Sequence, residues 1–170
     1  MKYKTVYADP PWHESGGGHI KRGADRHYKL MKTDEIIALK EMVKNITDDN
    51  AHLYLWVTNN YLKDGLRVME EWGFRYITNL VWVKPSFGLG QYFRGQHEIC
   101  LFGVKGKLLS QAKVRNVPSV VLAPKTVHSK KPSKMYEYIE ITSPEPRIEL
   151  FARNKREGWD VWGDQVPKDA

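Results

Sequence analysis

The sequence predicts an α/β fold built around a mostly parallel central sheet. Apolar, strand-like segments alternate along the chain with segments whose apolar residues recur at helical spacing. The strand-like segment His52–Val57 is apolar and aromatic throughout, as a strand covered on both faces is. We therefore expect helices on both faces of the sheet, and a length of 170 residues fits a single domain over residues 1–170.

The predicted elements follow in order along the chain. Strands are assigned where apolar, β-branched and aromatic residues cluster, at Lys4–Ala8, His52–Val57, Arg75–Val83, Glu98–Val104, Ser119–Leu122, Arg147–Ala152 and Val161–Trp162. Helices are assigned from apolar periodicity and end signals: from Thr33 to about Asn45, over Tyr61–Trp72 before Gly73, and from Pro132 to about Ile141. No Gly-x-Gly-x-x-Gly motif occurs, so a dinucleotide-binding fold of the usual kind has little support.

The first predicted strand runs into Asp9-Pro10-Pro11-Trp12, which carries the clearest chemical signal. Proline fixes φ near about −65° and donates no hydrogen bond, so this turn is stiff. A carboxylate, a rigid carbonyl and an indole at a strand end suit a planar base that carries an exocyclic amine. Trp12 would stack on the ring, while Asp9 and the Pro10 carbonyl would accept the two amine hydrogens. An ordinary Asp-Pro turn is the alternative interpretation.

The charge of the chain favours an anionic partner. Lys and Arg number 27 against 20 Asp and Glu, a formal net charge of +7, and nucleic acid is the first such partner to consider. Two glycine-containing basic loops, 13–30 and 86–97, are the candidate contacts. Their predicted binding residues are Lys21, Arg22 and Arg26 in the first loop and Arg94 in the second. A plain solvated loop is the alternative for the first.

Other classes of site receive no support from the sequence. Cys100 is a single cysteine, which excludes an intrachain disulfide, and the histidines show no metal-ligand spacing. No run of 18 apolar residues and no signal peptide is present. We therefore expect a soluble cytoplasmic protein that uses neither a metal nor a membrane.

Seven blocks occur in one order between Tyr7 and Gln165. They are Asp9–Trp12, Leu55–Thr58, Val81–Lys84, Glu98–Gly106, His128–Pro132, Ile148–Arg153 and Trp162–Gln165. Together they resemble the MT-A70 family of adenine-N6 methyltransferases, which use S-adenosyl-L-methionine. The resemblance implies a Rossmann-like class I methyltransferase fold in permuted order, with the acceptor motif N-terminal, and methyl transfer to N6 of adenine.

The resemblance also implies roles for single residues. Asp9, Pro10, Pro11 and Trp12 form the methyl-acceptor site, and Asp9 lies beside the cofactor as well. The other implied cofactor residues are Lys131, on the methionine carboxylate, with Arg153, Asp164 and Gln165 on the ribose and adenine side. The implied acceptor-base residues are Trp82, Lys84, Glu98 and Tyr28, the last because relatives have an aromatic residue that follows their first loop. Asp164 stands where the family has Asn, and it cannot donate a hydrogen bond as Asn does.

The resemblance favours DNA as the substrate, because small stand-alone relatives commonly act on DNA in bacteria and phages. The protein would then work in the cytoplasm of a bacterium or of a phage-infected host, as a homodimer or with an accessory subunit. Three alternatives stay open: methylation of cytosine N4, methylation of adenine in RNA, and a catalytically silent nucleic-acid-binding partner subunit.

Overall fold

Our computed structural model describes residues 2–13, 29–127 and 130–163, which contain seven strands, four α-helices and one 3₁₀ helix, Asn59–Tyr61. The strands are β1 (Tyr3–Ala8), β2 (Thr47–Val57), β3 (Arg75–Val83), β4 (His97–Lys105), β5 (Val120–Leu122), β6 (Arg147–Leu150) and β7 (Asp160–Trp162). The helices are α1 (Thr33–Ile37), α2 (Lys40–Ile46), α3 (Leu62–Glu71) and α4 (Lys134–Thr142). None of these described helices has the length and apolar character needed to cross a membrane.

The strands form one sheet in the order β5-β3-β4-β2-β1-β6-β7. The pairs β1–β2, β1–β6, β3–β5 and β6–β7 are parallel, whereas β4 lies antiparallel to both of its neighbours. Within the described ranges, six strands therefore share one direction and β4 runs against them. The predicted mostly parallel sheet is confirmed.

Side chains along the central strands alternate between two hydrophobic cores. Val6 of β1 and Leu55 of β2 face a core that α1, α2 and α3 cover. Tyr7 and Trp56, the next residues in each strand, face the opposite core, to which α4 contributes Met135. This period of two is what a strand covered on both faces requires. The prediction of helices on both faces of the sheet is confirmed.

Two predicted elements differ from the structure by more than a shift of one or two residues at an end. The helix predicted from Thr33 to about Asn45 is divided into α1 and α2, because the chain turns tightly at Ile36. The carbonyl of Ile36 accepts the amide of Leu39 at 3.2 Å and the indole of Trp72 at 3.1 Å. The second strand begins five residues before its predicted start, at Thr47, since pairing with β1 extends it through polar residues that carry no strand pattern.

Candidate active site

The carboxyl edge of the sheet gathers side chains that are far apart in the sequence. Asp9 follows β1, Lys84 follows β3, and Arg153 lies just beyond β6. The reversed strand β4 begins at this same edge, which places Glu98 there. Ligands of sheets of this kind bind beyond the carboxyl ends of the strands. The fold therefore brings residues of four of the predicted site blocks to the position where a ligand is expected.

Four charged side chains form an alternating chain across this edge. The Nζ atom of Lys131, just before α4, lies 3.3 Å from Oδ2 of Asp9 and 3.3 Å from Oε1 of Glu98. The other oxygen of Glu98 contacts Nζ of Lys84 at 2.7 Å. The four side chains are 15–26% exposed, so water screens these contacts only partly. We call Asp9, Lys131, Glu98 and Lys84 the charge chain.

Burial and neighbouring charges set the protonation of the charge chain. Burial raises the pKa of Asp9, with a further contribution from Glu98, although Lys131 opposes the change. Burial also acts to raise the pKa of Glu98, but the ammonium groups of Lys131 and Lys84 outweigh it and hold that pKa below its usual value. Burial acts to lower the pKa of Lys131, but the two carboxylates beside it outweigh burial and raise that pKa. At neutral pH, Lys131 is therefore a cation and Glu98 a carboxylate.

Two buried tryptophans form the floor beneath the charge chain. Nζ of Lys131 lies 5.4 Å from the ring centre of Trp56, and Nζ of Lys84 lies 4.9 Å from that of Trp82. The indole of Trp56 donates to the hydroxyl of Tyr7 at 2.7 Å, and that of Trp82 donates to the carbonyl of Ala123 at 2.8 Å. These contacts hold both ammonium groups over aromatic faces, an arrangement that stabilises a cation.

Trp12 lies in the core and not on the surface of the site. Its side chain is 5% exposed, its indole donates to the carbonyl of Trp56 at 3.0 Å, and its ring stacks on Tyr61 with ring centres 5.4 Å apart. The indole thus anchors the turn that follows β1. This corrects the prediction that Trp12 offers an open face to a base, because its hydrogen bond and its stacking partner are both internal.

The backbone of the same turn is held by two hydrogen bonds. The amide of Trp12 donates to the carbonyl of Pro10 at 2.9 Å, and the amide of Met31 donates to the carbonyl of Pro11 at 2.8 Å. The Pro10 carbonyl, predicted to accept an amine hydrogen, keeps a second lone pair for that purpose. Asp9 therefore stands at the start of a fixed turn, as the two prolines predict.

A further carboxyl group lies next to the charge chain and was missed by the sequence prediction. Glu149 of β6 stands opposite Tyr7 in the ladder with β1 and accepts a hydrogen bond from the hydroxyl of Tyr136. Burial raises the pKa of Glu149 to about 7, and the charge of Asp9 acts in the same direction. Its place directly before Leu150-Phe151-Ala152 would not have identified it. The block Ile148–Arg153, which contains it, was the only signal in the sequence.

The structure brings together some of the predicted residues and leaves others outside. Asp9, Lys84, Glu98 and Lys131 are in contact through the charge chain, and Arg153 is half-buried close enough for its charge to act on Asp9. Six further predicted site residues lie outside the described part of the chain: Lys21, Arg22, Arg26, Tyr28, Asp164 and Gln165.

The loop between β3 and β4 rises from the carboxyl edge and exposes aromatic rings. Its base is closed by Lys84 and Gln96, since the Lys84 amide donates to the Gln96 carbonyl at 2.9 Å and the Gln96 side chain donates to the Lys84 carbonyl at 2.9 Å. Tyr92 and Phe93 are among the most exposed large apolar side chains of the described residues, and Arg94, also exposed, follows them. We call residues 86–97 the aromatic loop.

Comparison with known proteins finds relatives over almost the whole chain. The family model described as MT-A70 matches residues 3–165. The chain is 32% identical to "Type II methyltransferase M.MunI" of Mycoplasma sp over 98% of its own length and 78% of that relative. It is 31% identical to "N(6)-adenosine-methyltransferase MT-A70-like" of Arabidopsis thaliana and 29% identical to "N(6)-adenosine-methyltransferase catalytic subunit METTL3" of Homo sapiens. It covers 96% and 97% of its own length in these matches but spans only 24% and 28% of the two relatives.

Proposed function

The chain belongs to the MT-A70 family of S-adenosylmethionine-dependent adenine-N6 methyltransferases, and on this premise we propose that it transfers a methyl group to N6 of adenine in DNA. The observation that carries the proposal is the contact of Lys131 with both Asp9 and Glu98 at the carboxyl edge. One cation joins the predicted acceptor residue to a second carboxylate, so cofactor and acceptor base would meet at one point.

The donor set at this edge fits the polar groups of S-adenosylmethionine. That molecule carries a carboxylate, an ammonium, a positively charged sulfur and two ribose hydroxyls. Lys131 would hold the carboxylate, while the negative charge of Asp9 favours the cationic part. Arg153 would contact the ribose side, with Asp164 and Gln165 as further proposed contacts. When bound, this cofactor supplies an electrophilic methyl group.

Asp9 would act on the amine of the acceptor base. Its carboxylate and the second lone pair of the Pro10 carbonyl would accept the two N6 hydrogens, which directs the nitrogen lone pair toward the methyl group. The carbon–nitrogen bond would form as the carbon–sulfur bond breaks, and the surplus amine proton would leave afterwards. No strong base is needed before attack, so positioning and hydrogen bonding supply most of the rate. Because burial raises the pKa of Asp9, this carboxylate is also suited to receive the surplus proton.

Glu98 and Lys84 would shape the other side of the acceptor pocket. Lys84 and Lys131 hold Glu98 from both of its oxygens, so this carboxylate has a fixed position near the proposed base. Trp82 supports Lys84 from below, and we propose that it contributes to the pocket wall through that contact. Glu98 would accept a hydrogen bond from a donor on the nucleotide, since an ionised carboxylate can only accept.

The two glycine-containing loops are the proposed nucleic-acid contacts. A base in duplex DNA has to leave the stack to reach a site of this kind. Arg94 in the aromatic loop would hold the strand and the displaced base, together with residues of the first loop: Lys21, Arg22, Arg26 and Tyr28. With DNA as its substrate, the enzyme would work in the cytoplasm of a bacterium or of a phage-infected host. A homodimer or an accessory subunit would extend the contact with DNA.

Replacing Tyr92 and Phe93 together with Ser is expected to weaken binding of a single-stranded oligonucleotide. Stacking on an aromatic side chain is worth about 1–3 kcal/mol per base, so losing one or both contacts corresponds to roughly a fivefold or greater loss of affinity. Both side chains are largely exposed, so the fold and the cofactor affinity should not change. Fluorescence anisotropy of a labelled oligonucleotide measures the affinity.

Leu109→Ser is the matched control for that experiment. Leu109 is also largely exposed but follows β4, at the end of the sheet opposite the aromatic loop. It should leave oligonucleotide binding as in the unaltered protein. Equal affinities for the Tyr92/Phe93 variant and the Leu109 variant would assign the aromatic loop to a role other than stacking on bases.

Nucleoside mass spectrometry tests the proposed reaction directly. DNA and RNA from cells that express the protein are digested and compared with samples from cells that express Asp9→Ala. N6-methyladenine that appears in DNA and depends on Asp9 supports the proposal. N4-methylcytosine, or methyladenine in RNA alone, would replace the proposed substrate. No methylated nucleoside, together with no cofactor binding in calorimetry, would favour a silent binding partner.

A further inference from the structure

Tyr136 links α4 to the carboxyl end of β6 through one hydrogen bond. Its hydroxyl donates to Oε1 of Glu149, the carboxyl group beside the charge chain. We propose that Tyr136 is a positioning residue, which holds the carboxylate of Glu149 ready to accept a hydrogen bond from a hydroxyl or amine group of the bound cofactor. This inference rests on the proposed function, because it assumes that the cofactor binds at this edge.

The ring of Tyr136 is fixed on several sides, so its hydroxyl has a defined direction. Tyr7 and Trp159 meet it edge to face, with ring centres 5.5 Å and 5.4 Å away and interplanar angles of 81° in both cases. The guanidinium of Arg156 lies 4.6 Å from the ring centre. That guanidinium is itself held by the carboxylate of Glu140 through two hydrogen bonds of 2.9 Å. A side chain locked in this way is what a positioning role requires.

Charges from every neighbouring element act on Glu149. Burial raises its pKa to about 7, and the donated hydrogen bond from Tyr136 acts in the opposite direction by favouring the ionised form. Asp9, at the end of β1, also raises the pKa of Glu149. Arg153 after β6 and Arg156 before β7 lower it. The hydroxyl of Tyr7 on β1 faces Glu149 as well. Near neutral pH, Glu149 is thus divided between its two protonation states, and Tyr136 helps to keep it ionised.

The sign of the pH effect follows from this balance. An ionised carboxylate accepts a stronger hydrogen bond than a neutral carboxyl group does. Cofactor affinity is therefore expected to rise with pH around about 7, by at most about tenfold per pH unit for one linked proton. Without the Tyr136 hydroxyl the pKa of Glu149 moves higher, so the rise in affinity moves to higher pH. We call the pH at which half of this rise has occurred the midpoint. If Tyr136 only filled space, removing its hydroxyl would not change the midpoint.

Tyr136→Phe tests the inference because it removes the hydroxyl and keeps the ring. Tyr138→Phe is the matched control, since Tyr138 lies on the same helix and donates to the carbonyl of Val120 at 3.2 Å, away from Glu149. Calorimetry gives the affinity for S-adenosylmethionine from about pH 5.5 to about pH 9, a range that covers the titration of Glu149 on both sides. We expect Tyr136→Phe to bind about tenfold more weakly near pH 7, to recover at high pH, and to have a shifted midpoint. Tyr138→Phe should follow the unaltered protein.

A second variant keeps the result decisive. Glu149→Gln carries no titratable carboxyl group, so its cofactor affinity should be weak and nearly independent of pH around about 7. If Tyr136→Phe has the midpoint of the unaltered protein, or if Glu149→Gln keeps the full pH dependence, the inference is overturned. If the unaltered protein binds no cofactor at any pH, the proposed function fails instead. Circular dichroism confirms that each variant is folded before it is compared.

Discussion

Asp9→Asn is expected to slow methyl transfer by about 10²–10³-fold, the usual cost of losing one positioned electrostatic contact in a transition state. Asn keeps the size of the side chain and one carbonyl oxygen, but its amide presents a donor where the amine of the base needs an acceptor. The turn itself should survive, because Pro10, Pro11 and the hydrogen bond from Trp12 to the carbonyl of Trp56 hold it independently of the carboxylate.

Single-turnover methyl transfer at saturating cofactor, measured beside cofactor affinity, separates chemistry from binding for this variant. Affinity should fall much less than rate, even though the contact of Asp9 with Lys131 at 3.3 Å is weakened. Asp49→Asn is the matched control, since Asp49 is exposed near the start of β2, at the end of the sheet opposite the carboxyl edge. Near-normal turnover in Asp9→Asn would remove Asp9 from the mechanism. If the variant fails to fold and loses its cofactor affinity as well, Asp9 has a structural role in the turn instead.

Lys131→Ala is expected to weaken cofactor binding by about 1.5–3 kcal/mol, the range for a charge-assisted hydrogen bond to a carboxylate. The structure adds an effect on stability. Asp9 and Glu98 share the charge of Lys131, and removing it leaves two partly buried carboxylates facing each other. The variant should therefore be less stable than the unaltered protein at neutral pH. The difference should shrink as the pH falls and the two carboxyl groups become protonated.

Calorimetry measures the cofactor affinity of this variant, and denaturant unfolding at neutral and acidic pH measures its stability. Lys130→Ala is the matched control, because Lys130 is the adjacent residue and is exposed. It should change neither quantity. Unaltered cofactor binding in a folded Lys131→Ala variant would contradict the assignment of Lys131 to the methionine carboxylate. A stability difference that does not depend on pH would contradict the shared-charge interpretation of its contacts.

Most of the secondary structure and the place of the proposed chemistry could be predicted from the sequence alone. The bounds of β3 follow from an apolar run that ends at Lys84-Pro85, and the stiff turn at Asp9 follows from two prolines, whose φ is restricted wherever they occur. The continuous apolar run in β2 also predicts that both of its faces are buried. These properties depend on neighbours in the sequence, so a single chain is enough to infer them.

The arrangement of the site was decided by the tertiary structure. Nothing in the local pattern of residues 97–105 shows that β4 runs against its neighbours, yet this direction brings Glu98 to the edge where Asp9 and Lys131 lie. The burial of Trp12 depends in the same way on Trp56 and Tyr61, more than 40 residues away in the sequence. Strand direction, ion pairing and the pKa of a buried carboxyl group all depend on which distant segments pack together. Local propensity and spacing carry no information about that packing.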